Sequence, residues 1–104
     1  MYLVHARLLP HPHKPLPTDA AALVQRASRA GDGVEFVVAH TVAPGTSVLG
    51  FFVLASSLAE AETAASKVCR RALSMYEAFR GFGMLSCGTV MPAAYYERLL
   101  DEPD

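Results

Sequence analysis

Residues 47–55, Ser-Val-Leu-Gly-Phe-Phe-Val-Leu-Ala, alternate as a strand would, yet both sides of the alternation are apolar. Val48, Phe52 and Leu54 fall on one side, and Leu49, Phe51 and Val53 on the other. Successive side chains of a strand point to opposite faces of its sheet, and a strand apolar on both faces is normally covered on both. A chain of 104 residues reads as one domain with a single modest core, burying roughly 65% of the surface its unfolded form exposes. One such core covers one face of this strand. The other face needs a second cover.

The flanking segments supply the partners. Tyr2, Val4, Ala6 and Leu8 alternate with Leu3, His5, Arg7 and Leu9, a strand with one wholly apolar and one mixed face. Prolines at 10, 12, 15 and 17 then break any ladder, because proline lacks the amide hydrogen and keeps its predecessor out of the helical region. Thr18 is placed to cap a helix over residues 19–30, with Ala20, Leu23, Val24 and Ala27 as its apolar stripe and Gly31 at its end. Residues 34–42 set Val34, Phe36 and Val38 against Glu35, Val37, Ala39 and Thr41. The turn residues Ala43-Pro-Gly-Thr46 lead this second strand into residues 47–55 as a hairpin. Ser56 or Ser57 caps a long helix over residues 58–79, whose stripe is Leu58, Ala61, Ala65, Val68, Cys69, Ala72, Tyr76 and Phe79. Gly81 and Gly83 end it, residues 84–90 form a fourth strand, and Pro92 opens a short helix over residues 93–100 before an acidic end.

The order β-α-β-β-α-β, closed by right-handed crossovers, predicts an α+β ferredoxin-like domain spanning residues 1–104. Its sheet is four-stranded and antiparallel in the order 4-1-3-2, with two helices on one face and a short C-terminal helix. The opposite face is then expected to carry Leu3, His5, Arg7 and Leu9, then Glu35, Val37, Ala39 and Thr41, then Leu49, Phe51 and Val53. The composition agrees with a surface in need of cover: 52% of residues are hydrophobic and 18% charged, against about 25% charged in ordinary soluble domains. A contiguous apolar patch of several hundred Å² marks an interface or ligand site. A second copy packed sheet to sheet about a two-fold axis covers it most simply.

With these elements in place, residues 2–91 resemble the dimeric α+β barrel superfamily, small ferredoxin-like proteins whose sheets pack face to face. The resemblance rests on the element order and the doubly apolar third strand. It implies a homodimer with a cavity between sheet and helices or within the barrel. Members include cofactor-free monooxygenases, isomerases and haem-degrading enzymes, together with binding and accessory proteins.

Several classes are excluded by residues that are missing. The segment after the first strand, His11-Pro-His-Lys-Pro-Leu-Pro17, has neither the Gly-rich, Arg-bearing loop of an acylphosphatase nor the CxxC of a metal-carrying ferredoxin-like domain. A formal net charge of −1 and the lack of a basic surround for Phe51 and Phe52 argue against nucleic-acid binding. The longest apolar stretch, residues 48–55, is far short of the roughly 20 that cross a bilayer. Two cysteines, Cys69 and Cys87, make no secreted disulfide framework and no zinc spacing. With no signal-peptide pattern at the N-terminus, a cytoplasmic setting is expected.

The candidate binding residues are His5, Arg7, Glu35, Val37, Phe51 and Val53. His5 and Arg7 in an apolar cleft suit a carboxylate or enolate, with His5 as acid or base; His5, Arg7 and Glu35 equally make a salt-bridged rim around a dimer interface. His11 and His13 share a side if extended, but no third and fourth ligand is evident, so no metal is expected. Cys69 lies on a core stripe, and Cys87 has no adjacent base. No convergent catalytic set emerges and no cofactor is expected. The function expected is a homodimeric binding or accessory module, its open face taking a second copy, a larger protein partner or a small apolar ligand. The alternative is a cofactor-free monooxygenase or isomerase acting on a small apolar or aromatic substrate in a cavity lined by His5, Arg7, Tyr76 and Phe51.

Overall fold

Strand β1 (Tyr2–Leu9) occupies the residues its alternation predicts, and Val4, Ala6 and Leu8 on one side of it are fully buried. The computed structural model describes residues 1–9, 11, 15–43 and 46–89. Helix α1 (Ala20–Ala27), strands β2 (Val34–Ala43) and β3 (Thr46–Val53), helix α2 (Leu58–Met75), a 3₁₀ turn (Glu77–Phe79) and strand β4 (Gly83–Thr89) follow in that order. The predicted helix over residues 93–100 lies outside the described residues, as do His13, Tyr95 and Tyr96.

The four strands form one antiparallel sheet in the order β2-β3-β1-β4, with β3 and β1 in the centre. Ala20, Val24 and Ala27 of α1 join Ala61, Ala65, Val68, Cys69 and Ala72 of α2 in a single core with the buried side of the sheet. Alanines let α2 approach the sheet closely, and Phe51 and Phe79 fill the volume between the layers. Both helices end before the predicted limits. Ser28 and Tyr76 have extended backbone, and the chain after Tyr76 tightens into the 3₁₀ turn that buries Phe79. Leu58, assigned by its spacing to the buried stripe, is exposed at the first turn of α2.

The α1–β2 connection is held by a side chain from the other helix. Arg71 Nη1 donates to the Ala27 carbonyl at 2.6 Å, an orphan acceptor at the end of α1, and to Asp32 Oδ2 at 2.9 Å. The Arg29 amide donates to the same carboxylate oxygen at 2.8 Å. Gly33 closes the connection with φ +78°, and a Cβ there would run into the Leu54 carbonyl oxygen.

The faces of β2 and β3 are the reverse of those predicted. Val4 pairs with Phe51 and Ala6 with Leu49, so Leu49, Phe51 and Val53 lie under the helices, fully buried. Val37 pairs with Phe51 and is buried beside it, at 4% exposure. Val37, Phe51 and Val53 are therefore core residues rather than parts of the open face. Two physical reasons produce the inversion. β3 is apolar on both sides, so its alternation carries no contrast to set the phase. In β2 the register shifts between Val34 and Phe36, which moves Phe36 and Val38 to the open side.

Candidate functional site on the open sheet face

The open face is organised in rows that cross the strands. The register places Phe36 of β2, Phe52 of β3 and Leu3 of β1 in one row. Val38, Gly50, His5 and Gly88 form the next, and His40, Val48, Arg7 and Ser86 the third. Phe36 and Phe52 pack at 6.0 Å between ring centroids, and Phe36 remains 56% exposed. The first row is thus an aromatic ridge, the third is polar and cationic, and between them runs a trough.

The floor of that trough is glycine. His5 has Gly50 as its neighbour on β3 and Gly88 as its neighbour on β4, so no side chain stands beside its ring on either strand. A Cβ at Gly50 would lie 2.9 Å from Val38 Cγ2 and 3.5 Å from His5 Cδ2. The free space lets His5 lean across β3 to meet His40 edge-on, with ring centroids 6.2 Å apart. Partial burial, reinforced by the neighbouring His40, holds the His5 imidazole below its ordinary pKa, so it is neutral at neutral pH.

Of the predicted site residues, the open face brings together His5 and Arg7. Arg7 is exposed one row from His5. Glu35 sits at the β2 register shift, exposed, its carbonyl accepting from Gln25 Nε2 at 3.5 Å. Among the described residues neither Arg7 nor Glu35 takes part in an ion pair, so the salt-bridged rim is not formed within one copy. Val37, Phe51 and Val53 lie on the opposite side of the sheet. The four residues assigned to an enzyme cavity are likewise divided: His5 and Arg7 stand on the open face, whereas Phe51 is in the core and Tyr76 packs against it. Val38, His40, Val48, Gly50 and Phe52 were missed. The available signal was the lone glycine in an apolar strand, which marks a close approach.

The remaining reactive groups are elsewhere. Burial pushes the Cys69 thiol up to about 12, and burial together with Glu62 raises that of Cys87, so both remain protonated thiols. His11 stacks on Phe82 at 5.5 Å beside Gly81. A shallow depression of about 640 Å³ runs along the outer side of α2 between Ala59 and Arg70, away from His5.

No family model matches the chain. No curated protein and no solved structure matches it either. Among the described residues no helix is long and apolar enough to cross a membrane.

Proposed function

We propose that the chain is a small homodimeric binding or accessory module of the ferredoxin-like, dimeric α+β barrel kind, paired through its open sheet face. Read from the β4 edge, the strand order β4-β1-β3-β2 supports that topology. The observation that carries the pairing is the row of exposed Phe36 with half-buried Phe52 and Leu3, beside half-buried Val38, standing on the side of the sheet away from both helices; Val48 on the same side is already buried. Strands of about eight residues, some 4.8 Å apart, give a face on the order of 500 Å² in plan. Two copies then cover on the order of 1,000 Å², the size at which specific interfaces begin. Arg7, without an ion-pair partner among the described residues, is available to pair with an acidic side chain of the second copy. The two free cysteines fit a reducing, cytoplasmic setting.

Light scattering across a dilution series tests this reading, with dimers expected at micromolar concentration. Phe52→Asp should give folded monomers, because its side chain leaves the helix-side core untouched. Phe51→Asp, which buries a charge in that core, should instead abolish folding. A wild-type monomer at all concentrations overturns the proposal.

A further inference from the structure

We infer that the open face carries a divalent-metal site shared by two copies of the chain, with His5 and His40 of each copy as ligands and an ion of the zinc class seated over Gly50. This rests on the pairing proposed above. His5 and Gly50 are opposed at the middle of the two central strands, β1 and β3, and so mark the centre of the sheet. An isologous contact places its two-fold axis at the middle of the shared patch. Sheet-to-sheet pairing therefore brings the His5–His40 pair of one copy over that of the other. Stacked sheets lie about 10 Å apart, so the mid-plane is about 5 Å from each backbone layer, within reach of a histidine side chain.

The chemistry suits that position. Imidazole nitrogen is a preferred ligand of zinc, copper and nickel, and a structural zinc site takes four ligands in a tetrahedron. Within one copy, no group of three or more histidine, cysteine and acidic residues converges among the described residues, so the set stops at two imidazoles. The second copy supplies the other two. With Zn–N bonds of about 2.1 Å, two tetrahedral ligand rings sit roughly 5 Å apart between centroids. The observed 6.2 Å closes to that value by rotation of the exposed His40. Val38 Cγ2 and the His5 ring fill the space over Gly50, so the ion sits above them at the imidazole nitrogens, and the aromatic ridge beside it limits access of water once the two faces meet.

The test uses the untagged full chain after removal of metal by EDTA. Zn²⁺ is titrated with calorimetric and light-scattering readouts, and Co²⁺ is titrated in parallel for its tetrahedral absorption bands. The expected result is one metal per two chains and a dimer that survives about tenfold greater dilution with Zn²⁺ than without. His5→Ala and His40→Ala should each weaken binding by more than about 100-fold, and His11→Gln should leave it unchanged. Both ligands are at the surface, and the wild-type stoichiometry stands even if a variant misfolds. One metal per chain, binding indifferent to both variants, or a dimer that takes up no metal would each overturn the shared site while leaving the pairing intact. A monomer with and without metal would overturn both.

Discussion

Asp32 shows how a single polar side chain sets the geometry of a small α+β domain. Its carboxylate is 7% exposed and receives the Arg71 guanidinium and the Arg29 amide, with Lys67 Nζ at 3.9 Å. Burial opposes its ionisation, but those hydrogen bonds and the two cationic charges outweigh burial and hold its pKa below the ordinary value. Arg71→Met leaves both the carboxylate and the Ala27 carbonyl without their donor. It should destabilise the fold by about 2–3 kcal/mol in a urea titration at pH 7. Because the folded pKa is depressed, the stabilisation is present above the unfolded value of about 3.9 and is lost as pH falls through the lower folded one. The gap between wild type and variant should therefore close in acid. A gap that persisted there would assign the effect to lost packing of the arginine stem. By contrast, the exposed Arg80–Glu77 pair, at 3.3 Å, should contribute little.

At the scale of elements, α2 begins where its sequence says it should. Ser57 Oγ accepts from the Glu60 amide at 3.1 Å, and Ser56 Oγ donates to the Glu60 carboxylate at 3.0 Å. Ser57→Ala should cost about 1 kcal/mol in thermal or chemical unfolding, and Ser57→Asp should restore most of it. A loss equally large in both variants would rule out the cap as the cause. Caps, prolines and turn residues act through neighbours in sequence, which is why β1, the start of α2 and the β2–β3 hairpin were legible from the residues alone. The faces of β2 and β3 were not legible. Their phase depends on the pairing of Val4 with Phe51 and on the shift between Val34 and Phe36, both of which belong to the sheet and not to either strand. His5 and Arg7 were found because β1 has contrast between its sides. Val38, Gly50 and Phe52 were missed because β3 has none, and because a displaced residue in β2 reverses everything after it.

At the scale of the whole molecule, the shortage of charge has its place on the open face, where Leu3, Phe36, Val38, Val48 and Phe52 surround a trough holding neutral imidazole. Pairing two copies there withdraws His5 further from water. Its folded pKa is already lowered by burial and by His40, and deeper burial moves it in the same direction. The groups around it are His40 and Val38 from β2, Gly50 from β3, Gly88 and Ser86 from β4, and Arg7 on its own strand, with the Glu62 carboxylate of α2 3.4 Å from where a Cβ at Gly88 would stand; burial and His40 set the direction of its shift. The proposed dimer would therefore exclude protons that the separated chains accept. In the proposed dimer, pairing is at full strength above the His5 value of the separated folded chain, itself below the ordinary one of about 6.5, and weakens as pH falls through it. The dissociation constant, measured by light scattering in EDTA, should rise by up to about tenfold per pH unit for each histidine that must shed its proton. His5→Gln, which keeps the size and cannot take up a proton, should flatten the profile below about pH 6.5. An unchanged slope in that variant would place the proton uptake outside the trough and remove His5 from the centre of the interface.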